Sequence, residues 1–151
     1  VISYPEKLKK GIYNNPITSL DLMPTFVELA GGKITEKDKL DGVNIFPYIT
    51  NETQGVPHQT MMWRFTISAG IRKGNWKLIR LPDRIPLLFN LDNDPSEQDN
   101  MALENLDLLE SMLKELGDWD VSTPHILFLE GARWRRNQLD LYDKQYQLEQ
   151  P

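Results

Sequence analysis

Apolar and polar positions switch between a period of two and a period near 3.6 along this chain, and the switches outline its elements. In SAGIRKGNWKLIR, residues 68–80, the apolar positions Ile71, Trp76, Leu78 and Ile79 are interrupted at Lys73-Gly74-Asn75. That spacing predicts two short strands joined by a tight glycine-containing turn with a basic tip. On the second arm Trp76, Leu78 and Arg80 alternate with Lys77, Ile79 and Leu81, so one face supplies a core while the other stays partly wet. Trp76 is expected at the centre of the sheet, because tryptophan buries a large apolar area. A lone hairpin is unstable in water, and MMWRF at 61–65 and the apolar run at 87–91 read as its neighbouring strands.

The helical period is clearest at Leu103, Leu106, Leu109, Met112, Leu113 and Leu116, with Gly117 as the expected stop. This stripe reads as core, and its task is to cover the sheet. An earlier stripe lies in TSLDLMPTFVELAGG, where Leu22, Phe26 and Leu29 share a face. Asp21 or Ser19 caps that helix, Pro24 falls in its first turn, and Gly31-Gly32 ends it. So apolar a short helix is expected to be buried on more than one side. Residues 1–4 read as a strand closed by Pro5, with the look of a core strand cut from something larger. Residues 33–59 look irregular, and in the tail Trp134, Leu141, Tyr142 and Tyr146 suggest a loose helical face. The fold class is α+β: a short antiparallel sheet of about four strands packed against one long helix.

Composition narrows the function classes. The chain has 151 residues with 26% charged positions, a globular mixture long enough for a sizeable core. Its 17 basic and 22 acidic residues give a net charge of -5, which argues against a general polyanion binder and thus against nucleic acid. The chain has no cysteine, excluding disulfides, thiolate metal ligands and a cysteine nucleophile. No apolar run approaches the roughly 20 residues that cross a bilayer, so no membrane partner is expected.

Chemistry-bearing motifs are sparse. There is no glycine-rich phosphate loop, no zinc-ligand spacing and no serine–histidine–acid order. His58 lies in a polar loop before the first sheet strand, where exposure would let it donate to an anionic substrate. His125 reads as a hydrogen-bonding side chain at a strand entrance. The carboxylates of DNDPSEQD are poorly spaced for a calcium cage, and Asp21 reads as a cap. Lys7, Lys9 and Lys10 form a solvated basic loop, and Asn51-Glu52-Thr53 is a short glycosylation match that arises often by accident. Arg133, Arg135 and Arg136 surround Trp134, which is expected to anchor on another domain while the arginines stay solvated.

Taken in order, YPEKLKKG, TSLDLMPTFVELAGG, DGVNIFPYI, MMWRF, AGIRKGNWKLI and LFNLDNDPSEQDNMA resemble the C-terminal part of the sulfatase family, within the alkaline-phosphatase-like group. These phrases cover roughly the first two-thirds of the chain. The resemblance implies that residues 1–50 close the large α/β domain as a strand–helix remnant with its connection, and that residues 51–151 form the smaller C-terminal subdomain and tail. It also implies a parent that hydrolyses sulfate esters with a formylglycine, made from the first residue of a C/S-x-P-x-R motif, beside a divalent cation, usually calcium. That motif is absent from these residues, and the metal ligands and principal catalytic Lys and His lie upstream of the matched phrases. No catalytic residue, metal ligand or cofactor is therefore expected in this chain itself.

What remains for these residues is support and a wall of the substrate cleft. His58, Arg64, Arg72 and Lys73 are the candidate substrate-binding residues, as cationic donors to a sulfate or carboxylate. Trp63 reads as core, and Arg64 alternates away from it along the strand. The expected partners are a missing N-terminal catalytic domain of the same polypeptide and a sulfate ester bound by the whole protein. Exposed apolar surface on residues 1–4 and the first helix is expected to drive self-association. The parent would be soluble, in a periplasmic or extracellular location. Rival readings are part of a related phosphatase or phosphonate hydrolase, or a non-enzymatic module that holds an acidic partner through Trp134 and its arginines.

Overall fold

A computed structural model describes residues 1–148. The chain forms two compact units, Val1–Gln59 and a second that begins at Thr60.

The first unit is built on helix α1, Leu22–Leu29, entered through a single 3-10 turn at Ser19–Asp21. Pro24 falls in the first turn, where its missing N–H removes no intrahelical bond. The helix ends as expected at the glycine pair. Gly31 adopts φ +83°, and the amides of Gly31 and Gly32 donate to Glu28 O (3.0 Å) and Val27 O (2.9 Å). Those two bonds satisfy carbonyls that the helix end would otherwise orphan. Beyond it, a one-turn helix α2, Phe46–Ile49, follows Ile45, which is fully buried.

Two expectations fail in this unit. Residues 1–4 form no strand, because no ladder partner takes up their backbone groups. Nor is α1 buried on several sides. Within it only Pro24 and Thr25 are buried, while Leu22, Met23 and Phe26 are 38%, 60% and 56% exposed. The side of the helix that this unit covers is the one holding a hydroxyl and a proline ring, not the apolar stripe.

The second unit is a four-stranded antiparallel sheet in the order β1 (Thr60–Phe65), β2 (Ser68–Lys73), β3 (Trp76–Arg80) and β4 (Leu87–Asn90). Gly74, at φ +58°, makes the tight turn between β2 and β3. Register places Met62, Ile71, Leu78 and Leu88 in one cross-strand row and Trp63, Gly70, Ile79 and Leu87 in the next. Successive side chains alternate, so these rows belong to opposite faces.

Helix α3, Leu106–Ser122, covers the first face. Leu109, Met112 and Leu116 recur at three- and four-residue intervals and are buried against Ile71, Leu78 and Leu88. Fully burying a side chain of this size contributes about 1.5–3 kcal/mol. The helix starts three residues after Leu103, which stays exposed, and it runs straight through Gly117. Glycine raises the helical free energy by only about 1 kcal/mol, too little to stop a helix whose next turns still pack. Trp76 sits at the margin of this core rather than its centre, which the aliphatic row occupies.

The opposite face also has a cover. Helix α4, Ala132–Tyr146, brings Tyr142 and Tyr146 against the cluster of Ile79, Leu81, Leu87 and Phe89. Trp134 meets Phe65 edge-on at 5.2 Å between ring centroids. The tail aromatics thus anchor on this unit's own sheet, not on a separate domain. Arg84, in the β3–β4 loop, grips Asp143 through two parallel bonds of 2.7 Å.

Candidate functional site

His58 and Asp21 form the most enclosed polar cluster of the first unit. Asp21 closes the 3-10 turn that leads into α1, and its carboxylate is fully buried although Leu20 and Leu22 on either side are exposed. It accepts from the amides of Thr18 (2.8 Å) and Val43 (3.0 Å), and His58 Nε2 lies 2.8 and 3.0 Å from its two oxygens. Beside it, Thr25 Oγ1 accepts from the Ile45 amide at 3.0 Å. A buried carboxylate needs such partners, because desolvation penalises its charge. The exposed loop histidine expected from sequence is instead a side chain 12% exposed whose Nε2 faces an internal acid. Asp21 does serve the helix entrance, through Thr18, but it also ties residues 43 and 58 to that entrance.

In the second unit Arg64 leaves β1 on the α3 face. It donates to Asp120 through Nη1 and to the Pro124 carbonyl through Nη2 at 2.7 Å. Arg80 reaches the other Asp120 oxygen at 2.7 Å. Two guanidinium partners, Arg80 foremost and then Arg64, hold the Asp120 carboxyl below the ordinary carboxylate range. Lys73 pairs with Glu115 of α3 at 2.7 Å. Arg72 lies on the opposite face, where its Nε donates to Gly74 O at 3.1 Å across the hairpin tip.

The four sequence candidates are therefore not gathered into one pocket. His58 belongs to the first unit, Arg64 and Lys73 engage α3, and Arg72 sits at the tip with, among the described residues, only its Nε bonded. Trp63 is not core: it is 40% exposed and lies over Gly70, where a Cβ would come within 2.8 Å of the indole. Lys77 Nζ stands 5.9 Å from that ring and is paired with Glu97, which also accepts from Tyr146 Oη at 3.1 Å. Burial, then the Glu97 charge, pushes the Tyr146 hydroxyl well above its ordinary value.

Sequence reading missed the roles of Asp120 and Asp21. Asp120 gives no signal in advance, since its partners come from strands 40 and 56 positions away. Asp21 did carry a signal, as an acid set between two leucines at the start of an apolar helix. Among the described residues no group of three or more His, Asp or Glu side chains is placed to hold a metal ion. The residues present thus do not fit a divalent-cation centre. An apolar groove of about 350 Å³ lies in the first unit between Tyr4, Leu22, Phe26, Phe46 and Ile49. No helix among the described residues is long and apolar enough to cross a membrane.

No protein-family model matches the chain. Among individual proteins, it is 37% identical over 57 residues to the uncharacterized sulfatase YdeN of Escherichia coli K12, covering 38% of this chain and 10% of that one. It is 29% identical over 99 residues to the choline-sulfatase of Rhizobium meliloti 1021, covering 61% and 19%. The chain is sulfatase-like. The likeness is to the C-terminal portion of sulfatases, and the sulfatase-like chain spans only about a tenth to a fifth of these curated relatives. The crystal structure of Ps i-CgsB in complex with k-i-k-neocarrahexaose superposes at TM-score 0.65 and 29% identity, over 86% of this chain and 31% of that one. The phosphonate monoester hydrolase of Agrobacterium radiobacter shares the fold alone, at TM-score 0.51 and 19% identity, over 68% of this chain and 24% of that one.

Proposed function

We propose that this sulfatase-like chain is the supporting C-terminal lobe of a sulfuric ester hydrolase and furnishes part of its substrate cleft wall. The observation that carries the reading is the superposition of sheet and helices over 86% of the chain at 29% identity, joined to sulfatase relatives by sequence. Bond cleavage in such a parent falls to a formylglycine and a divalent cation, for which the described residues offer no donor cluster; both belong to an N-terminal catalytic domain of the same polypeptide. Residues 1–50 close that domain, and the remainder forms the lobe. The parent acts in a periplasmic or extracellular space.

In this reading the hairpin tip supplies the cleft contacts. Among the described residues both terminal guanidinium nitrogens of Arg72 are without a partner, and Lys73 beside it is exposed at the end of β2. A guanidinium offers two parallel donors to a sulfate or carboxylate. Arg64, held by Asp120, braces the lobe behind its own sheet, and His58, held by Asp21, braces the first unit by itself. The exposed face of α1 and its groove receive the catalytic domain, and in its absence they drive self-association.

The test is an assay of two polypeptides on 4-nitrophenyl sulfate with calcium. The product of the whole reading frame encoding these residues is expected to release sulfate, and the 151-residue chain alone is not. Turnover by the isolated chain would overturn the reading. A whole product that cleaves a phenyl phosphonate or phosphate ester instead would move the chain to the rival hydrolases that share this fold.

A further inference from the structure

Three arginines at the start of α4 stand apart from every other arginine in the chain. Arg64, Arg72, Arg80 and Arg84 each donate to a carboxylate or a carbonyl. Arg133, Arg135 and Arg136 are exposed, and among the described residues they form no ion pair. They also occupy the helix end where the backbone dipole disfavours positive charge. Folding therefore gains nothing visible from them, in a chain whose overall charge is -5.

Their arrangement is ordered by Trp134. Its ring packs edge-on against Phe65, which remains 51% exposed at the end of β1. Successive residues of a helix turn by about 100°. With Trp134 directed at the sheet, Arg133 and Arg135 leave the helix on either side of it and Arg136 on the far side. A half-exposed Phe65 ring propped by Trp134, with three arginines about the same helix turn that form no ion pair among the described residues, matches a pyranose ring that carries sulfate groups. The apolar sugar face lies on the ring, and each sulfate takes parallel N–H donors.

We infer that the first turn of α4 and the end of β1 form a binding surface for a sulfated polysaccharide. The choice of sulfate over other anions rests on the sulfatase reading; the anion-binding surface itself rests only on the unpaired arginines and the aromatic pair. Nucleic acid also offers rings and anions, but here a single aromatic edge serves, without the series of stacking platforms that a run of bases uses.

Dextran sulfate is the probe, with unsulfated dextran as control, and binding to the 151-residue chain is read by calorimetry at several salt concentrations. Wild type is expected to bind dextran sulfate and not dextran. The R133Q/R135Q/R136Q variant is expected to lose roughly tenfold in affinity, with smaller stepwise losses in the single variants. K33Q/K37Q/K39Q, which removes as much charge elsewhere, is expected to change affinity less than about twofold. Equal losses in the two triple variants, or none in the arginine variant, would overturn the surface. Tighter binding to single-stranded DNA or to anionic lipid vesicles than to dextran sulfate would overturn the polysaccharide assignment. Because the readout is binding, failure of the whole product to release sulfate leaves it unaffected.

Discussion

Adding one methyl group at Gly42 is expected to break the polar cluster of the first unit. A Cβ there would lie 2.1 Å from Leu20 O, 2.3 Å from Leu20 C and 2.7 Å from the Asp21 amide nitrogen. Carbon atoms pack comfortably at about 3.5–4.0 Å, so the segments at 20–21 and 42–43 must part by more than about 1 Å. All three obstacles are backbone atoms, and no side chain can swing away to make room. The Val43 amide, 3.0 Å from Asp21 Oδ1, would be drawn off a fully buried carboxylate. Overpacking costs about 1–3 kcal/mol and a lost bond to a buried acceptor about 1–3 more, against a gain of about 0.4–1 from a stiffer unfolded chain. The net expectation for Gly42→Ala is a loss of about 2–5 kcal/mol, a large part of an ordinary domain's stability. Hydrogen exchange at the Val43 amide reads this locally, and protection should fall by roughly 30-fold or more. Gly117→Ala is the matched control. Its Cβ would meet nothing within 4 Å inside α3, so it should stabilise the second unit by about 0.5–1 kcal/mol. If Gly42→Ala unfolds with wild type and keeps Val43 protected within threefold, the close backbone approach has no energetic weight and the reasoning fails.

Other consequences are as direct. His58→Ala removes the side chain bridging both Asp21 oxygens and should destabilise the first unit by about 1–3 kcal/mol, as read by denaturant titration with hydrogen exchange; equal stability would show that Asp21 needs only its backbone donors. Asp120 has a depressed folded-state pKa, so its contribution is present above the unfolded value of about 4 and disappears as pH falls through the folded value. Stability of wild type should exceed that of Asp120→Asn by about 1–2 kcal/mol at pH 7, discounted for partial exposure, and the gap should close under acid conditions. A gap independent of pH would remove the charge from the explanation. The 151-residue chain should self-associate with rising concentration in light scattering, and Phe26→Ser, at a side chain 56% exposed, should weaken it; a monomer at every concentration would count against that docking face.

The elements legible in the sequence were those whose pattern is local. Both hairpin arms, the strand at 61–65, the strand at 87 and the leucine stripe of α3 follow from period alone, and the glycine pair after α1 ends it as written. Errors arose where a distant partner decides. Trp63 looks like core until Gly70 is placed beneath it, and Trp134 looks like an anchor for another domain until Phe65 is placed against it. His58 reads as a free donor because its acid lies 37 residues earlier. Gly117 reads as a stop because a pattern shows the local cost of glycine but not the packing that outweighs it.

Helix α4 occupies the side of the sheet that a one-helix layout would leave wet. A polypeptide truncated before Ala132 would therefore surrender Ile79, Leu87 and Phe89 to solvent as one continuous oily strip and strand Arg84 without its acid. The boundary for any excised version of this lobe consequently lies beyond Tyr146, well past the last phrase by which its ancestry can be read.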